Sequence, residues 1–171
     1  MKRFFRVDQS MNLYEGQEIN YINSDNIEPE ELQTDINFLF PEGISNLGFS
    51  LINKSANDIS NLVELVFEYV RRSYFPEKPS RFQSIFAFDN IEQAKLFRYK
   101  YCDCKHKIWE VETMPSFRAD MSLLDLPQDC SLLKLDHIAH LYWNSETEDT
   151  RCTFWEYLLV PPVKVIRKID E

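Results

Sequence analysis

Glycine is scarce in this chain, with 3 in 171 residues. That scarcity excludes a phosphate-binding fingerprint, which needs a dense glycine turn leading into a helix. Gly43 and Gly48 flank Leu39-Phe40-Pro41-Glu42-Gly43-Ile44-Ser45-Asn46-Leu47-Gly48-Phe49, which reads as a structured loop serving as a connector. No apolar run is long enough to span a bilayer, and Met1-Lys2-Arg3-Phe4-Phe5-Arg6-Val7-Asp8 lacks the apolar core and cleavage site of a signal peptide. The expected location is the cytoplasm, without a membrane partner. Positive charge is the minority sign: 19 basic against 28 acidic residues give a formal net charge of -9. This disfavours non-specific attraction to nucleic acid or anionic lipid, so any nucleic-acid contact needs a local basic patch.

Zinc-ligand spacing is also lacking. Cys102, Cys104 and His106 share one face of an extended segment, and His137 and His140 stand one helical turn apart. Cys-x-Cys is nevertheless not the gap typical of structural zinc ligands, and Cys130 and Cys152 have no neighbour in sequence to pair with. Scattered, reduced thiols suit a cytoplasmic protein, and no metal is expected. What the chain does have is apolar material: 44% hydrophobic and 14% aromatic residues, enough for one globular domain over residues 1–171.

The most informative stretch is Thr153-Phe154-Trp155-Glu156-Tyr157-Leu158-Leu159-Val160, followed by Pro161-Pro162 and Val163-Lys164-Val165-Ile166-Arg167. It reads as two strands with a break, because consecutive prolines cannot donate to a central ladder. Alternation puts Glu156 on the face of Phe154 and Leu158, opposite Trp155, Tyr157 and Leu159. A carboxylate among apolar neighbours either curls out to solvent, pairs with a cation, or faces a cleft as a reacting group. At the other end of the chain, Arg3-Phe4-Phe5-Arg6-Val7 reads as the first strand. There Arg6 is either an edge-strand surface charge or an anion ligand in a cleft.

Residues 14–33 read mainly as loop, with a helical turn begun at Pro29-Glu30-Glu31. A helix capped by Asn57 or Asp58 follows, its core stripe formed by Ile59, Leu62, Val63, Val66, Phe67 and Val70. Glu64 and Glu68 are expected on its solvated side, Glu68 facing Arg72 one turn on. Pro76 and Pro79 end the helix, and Arg71, Arg72, Lys78 and Arg81 concentrate positive charge there. These bases can hold a phosphate-bearing ligand, while Arg71 and Arg72 equally suit a helix C-terminus. Gln83 to Phe88 reads as a buried strand, leading through an Asp89-Asn90-Ile91-Glu92 cap into a helix whose inward stripe is Ile91, Ala94, Phe97 and Tyr101. Lys107 to Met114 alternates as a strand, Pro115 separates it from an extended piece over Phe117 to Leu124, and Asp136 is placed to cap a short helix to Trp143.

Three of these segments resemble the ADP-ribosyltransferase family. Ser84-Ile85-Phe86-Ala87, followed after a cap by Ala94 and Phe97, is similar to the family's strand that precedes a helix carrying Ala and an aromatic. Glu156-Tyr157-Leu158-Leu159-Val160-Pro161-Pro162 is similar to its third motif, a glutamate opening a strand that ends in Leu-Pro-Pro or a close variant. Phe4-Phe5-Arg6-Val7 resembles the first strand of its arginine-bearing members, and the three occur in the family's order. The middle motif lacks Ser-Thr-Ser, Phe86 stands where the alternative pattern has tyrosine, and Phe154 stands where arginine-modifying members carry a second acid. Arginine modification is therefore disfavoured. The chain also resembles a set of uncharacterised bacterial proteins sharing Pro79-Ser80-Arg81-Phe82-Gln83-Ser84 and Trp155-Glu156-Tyr157-Leu158-Leu159.

The resemblance implies an α+β domain, a mostly antiparallel split β-sheet with a few helices, and NAD as substrate. It implies Glu156 and Arg6 as catalytic residues, with Arg6, Arg81, Ser84, Phe86 and Phe97 binding NAD. Nicotinamide–ribose cleavage passes through an oxocarbenium-like ribose that a carboxylate can stabilise, and a guanidinium matches a pyrophosphate. Phe86 and Phe97 can flank the nicotinamide, and Ser84 can add a hydrogen bond. The expected activity is transfer of ADP-ribose to a macromolecular acceptor, nucleic acid or protein, in a toxin or phage-defence effector with a cognate antitoxin as a candidate partner. NAD hydrolysis and a non-catalytic acidic binding protein on the same fold are the alternatives. The transferase expectation requires Arg6, Phe86 and Glu156 to line one cleft.

Overall fold

A computed structural model describes residues 1–22, 28–55, 59–114, 116–127 and 129–169. The proposed caps Asn57 and Asp58 and the separator Pro115 lie outside the described residues. In chain order the elements are β1 (Lys2–Asp8), β2 (Glu18–Ile19), α1 (Glu30–Leu39), α2 (Asn46–Ile52), α3 (Ile59–Tyr74), β3 (Ile85–Ala87) and α4 (Ile91–Tyr101). They continue with β4 (Lys107–Thr113), β5 (Ser116–Asp120), a 3₁₀ turn over Met121–Leu124, α5 (Leu132–Trp143), β6 (Trp155–Leu159) and β7 (Val163–Lys168).

The strands form two antiparallel sheets, one ordered β1-β4-β7-β2 and the other β3-β6-β5. They touch where Phe5 and Phe88 exchange backbone hydrogen bonds of 2.7 and 2.9 Å. Continuing that register would pair Val7 with Phe86. Instead the Phe86 carbonyl accepts from Arg6 Nη1 at 3.1 Å, so a side chain stands where the ladder would have run and the sheet splits. The proline break acts at the other end: β6 lies in one sheet and β7 in the other, with Pro161-Pro162 carrying the chain across. Thr113 Oγ1 sits within 3.2 Å of the Val160 carbonyl and 3.1 Å of that of Pro162, tying the crossing to β4.

Each face of β6 packs on a different layer. Tyr157 and Leu159 join Phe4, Ile85, Ala87, Val111, Val163 and Val165 between the sheets. Leu158 joins Val63, Phe67, Ile138, Tyr142 and Trp143 from α3 and α5. The alternation read from the sequence holds for Tyr157, Leu158 and Leu159, while Phe154, expected beside Leu158, packs instead with Val7 and Phe88.

Several local readings change. Residues 30–39 form a full helix rather than a turn, with Pro29 at its N-cap. The Leu39–Phe49 loop contains the start of α2, whose cap Ser45 accepts from the Gly48 N–H at 2.9 Å. Asn90, not Asp89, caps α4, because the Asp89 carboxylate accepts the Tyr157 hydroxyl at 2.7 Å. α5 begins at Leu132 under a Ser131 cap, well before Asp136.

The largest correction concerns α3. Glu68 is 3% exposed rather than solvated, and accepts from Arg71, Arg72 and Ser80. The segment after α3 folds back over this charged side, while Leu62, Leu65 and Tyr69 face solvent. Among the described residues no helix is long and apolar enough to cross a membrane.

Gly48 shows how tightly α2 is seated. A Cβ there would lie well inside the contact distance of the Phe82 backbone carbonyl. Gly48→Ala should therefore lower stability by about 1–3 kcal/mol in urea unfolding. If helix propensity governed the site, the same change would raise it by about 1 kcal/mol.

Candidate functional site

Glu156 is 3% exposed and belongs to a buried charge network. Its Oε1 accepts from Arg81 Nη1 and from the Tyr142 hydroxyl, the latter at 2.8 Å. Arg81 Nη1 also donates to the Tyr142 oxygen, and Arg81 Nε and Nη2 form a bidentate pair with Glu64. The guanidinium carbon lies 4.5 Å from the Phe86 ring centre and 5.2 Å from that of Tyr142. Four elements supply these groups: α3 gives Glu64, α5 gives Tyr142, β6 gives Glu156 and β3 gives Phe86. Arg81 comes from the turn before β3, where Ser80 anchors the backbone by accepting the Phe82 N–H at 3.1 Å.

Burial raises the Glu156 pKa, with Arg81 and the Tyr142 hydrogen bond pulling against it. Burial also opposes charge on Arg81, but the carboxylates of Glu156 and Glu64, together with Tyr142, outweigh it and hold the guanidinium well above its ordinary value. Tyr142 is raised well above its ordinary value, first by burial, so its hydroxyl remains a donor to Glu156. The centre is thus a carboxylate whose nearest oxygen is fixed by two donors, next to a permanent cation with an aromatic ring on its face.

The residues expected to act together divide into three places. Glu156, Arg81 and Phe86 converge. Arg6 touches the same strand, but only at the Phe86 backbone carbonyl, and its side chain leaves β1 on the face of Phe4, between the sheets. Glu156 leaves β6 on the face of Leu158, toward α3 and α5. The two approach Phe86 from opposite sides of the three-stranded sheet, so the single cleft expected for them is not the arrangement found. Burial lowers the Arg6 pKa against the opposing influence of Asp8, leaving a guanidinium that stays charged. Its buried Nε has no hydrogen-bond partner among the described residues.

Phe97 stands apart, packed on Phe88 at 5.2 Å and Tyr101 at 5.4 Å as ordinary core. Ser84 is buried and donates to the Ser80 carbonyl at 2.7 Å. It lines an open cleft of ≈ 310 Å³ shared with Arg71, Lys78, Ser80, Gln83 and Glu42. Among the described residues no group of three His, Cys, Asp or Glu side chains could hold a metal. His140 instead packs against Tyr74 and Phe75.

Sequence reasoning missed Glu64 and Tyr142. Tyr142 carries a usable signal, since a tyrosine on the apolar stripe of a buried helix needs a partner for its hydroxyl. Glu64 carries none, because its pairing depends on where a turn 17 residues away delivers Arg81.

Arg81→Met should cost about 3–5 kcal/mol, because it leaves two carboxylates facing each other without their cation. A raised folded-state pKa means that the Glu156 contribution is fully present below the ordinary carboxyl value of 4.5 and is lost as pH rises through the folded value. Losing Arg81 raises that pKa further. The stability gap between parent and variant should therefore narrow as the pH falls from about 7 to about 5. A pH-independent gap in denaturant unfolding would contradict this.

No curated protein matches the chain. The family model described as "Protein of unknown function (DUF2441)" matches residues 3–171. With the match covering both sheets and every residue of the buried network, the chain belongs to the DUF2441 family.

Proposed function

We propose that this protein is an NAD-dependent ADP-ribosyltransferase that moves ADP-ribose to a macromolecular acceptor. The observation that carries this reading is Glu156, a carboxylate near the start of a strand, held in fixed orientation inside a low-dielectric network. Such a group stabilises developing positive charge on a ribose more strongly than a solvated one. The antiparallel sheet that parts between β1 and β3 supports it, as does Arg6 standing in the parting with an unpaired Nε. In this reading Arg6 binds the pyrophosphate, for which a planar guanidinium is suited, and Glu156 serves the ribose. Because the two leave opposite faces of the sheet, NAD in this reading has to reach past Phe86 to a carboxylate whose Oε1 is held by Arg81 and Tyr142.

One observation favours a second reading, a binding protein on this scaffold without turnover. Glu156 is 3% exposed and its Oε1 already holds two donors, which is also what a structural lock requires.

Incubation with NAD labelled in its adenylate half, with and without cell extract, separates these readings. Transfer predicts label in macromolecules, and hydrolysis predicts free ADP-ribose. Glu156→Gln should lower either by at least about 100-fold, and Arg6→Ala should weaken NAD binding while leaving the fold intact. Absence of turnover in the folded parent, with no NAD binding, overturns the enzyme reading and leaves the binding protein.

A further inference from the structure

The inter-sheet face of β6 carries a second group of side chains that the buried network does not use. Trp155 is half-buried, and the exposed Arg118 of β5 lies over its ring at 4.1 Å. The exposed Lys2 of β1 lies over the neighbouring Tyr157 ring at 4.5 Å. Arg118 and Tyr157 are direct cross-strand partners, so Lys2, Arg118 and Trp155 gather around one side of the Tyr157 ring. Tyr157 is 8% exposed and fixed by its hydrogen bond to Asp89, and burial pushes its phenol up to about 12, so it forms a neutral, buried floor beneath Lys2. Three cations, Lys2, Arg118 and the deeper Arg6, stand here against two carboxylates, Asp89 and the buried Asp8 beside Arg6. In a chain of net charge -9 this is a local reversal of sign.

A half-buried ring capped by an exposed guanidinium suits a ligand that brings both a flat π-face and a phosphate. A base can replace the guanidinium over Trp155, and the displaced Arg118 can follow the phosphate. Duplex nucleic acid hides its base faces, so the pattern selects a single strand. We propose that the patch of Lys2, Arg118 and Trp155, seated on the buried Tyr157, binds single-stranded nucleic acid. This names the acceptor class for the transfer reading above and rests on that reading only for the acceptor role.

The test is fluorescence anisotropy of a labelled oligothymidylate at about 50 mM salt without NAD. Quenching of intrinsic tryptophan emission is followed in parallel, because Trp109 and Trp143 are buried and Trp155 is the accessible reporter. The expected result is saturable binding, weakened at least about fivefold by Trp155→Ala and by Arg118→Glu, and retained by Trp155→Phe. Unfolding midpoints of the variants confirm that each is folded. No binding, equal binding of a duplex of the same length, or unchanged affinity in both the Trp155→Ala and Arg118→Glu variants overturns the inference. Binding by a protein that consumes no NAD sustains it and counts against the transferase alone.

Discussion

The Arg81 guanidinium is the fixed point of this molecule. It is buried with Glu64, Glu156 and Tyr142 on its donors and Phe86 on its face, and so joins two helices and two strands through one cation. None of these charges is tolerable alone in that environment, since a buried ion without its partner costs several kcal/mol. The network therefore forms only when α3, α5 and the three-stranded sheet are all in place. It contributes more to the choice of one arrangement than to net stability, because a well-packed apolar substitute for the whole group would be about as stable. Glu68 repeats the device one turn along α3, collecting Arg71 and Arg72 from the same helix and Ser80 from the returning chain.

The second constraint is the parting of the sheets. Phe5 and Phe88 pair, Arg6 intercepts the next carbonyl, and Pro161-Pro162 sends β7 to the other sheet. β6 consequently has one face on helices and one on the opposing sheet. Glu156 and Tyr157, adjacent in sequence, thereby serve different environments, a buried ionic network and the apolar core between the sheets.

What was legible in the sequence follows how local each determinant is. The alternation of Trp155 to Leu159, the double proline and the apolar periodicity of α3 are short-range, and β6, the sheet change and the packing of Val63, Val66, Phe67 and Val70 correspond to them, although Leu62 of the same expected stripe faces solvent. The fate of charges was not legible. Glu64 and Glu68 lie off the apolar stripe and read as solvated, yet the turn at Ser80 and Arg81 buries Glu68 completely and leaves Glu64 little exposed. The separation of Arg6 from Glu156 was equally hidden. Each strand shows its own two faces, but how those faces correspond across the split depends on the single pairing of Phe5 with Phe88. α1 was missed because an acidic, weakly periodic stretch gains its helix from one buried contact, Ile36, packed with Phe40, Ile44 and Phe82.

The central claim is that NAD enters the parting beside Arg6 and reaches Glu156 past Phe86. Titration of isotopically labelled protein with NAD, followed through its amide resonances by NMR, tests this most directly. The account predicts saturable shifts concentrated at Arg6, Phe86, Arg81 and Glu156, with the remote end of α4 unmoved. Spectra unchanged at millimolar NAD, or shifts confined to other surfaces, would contradict it.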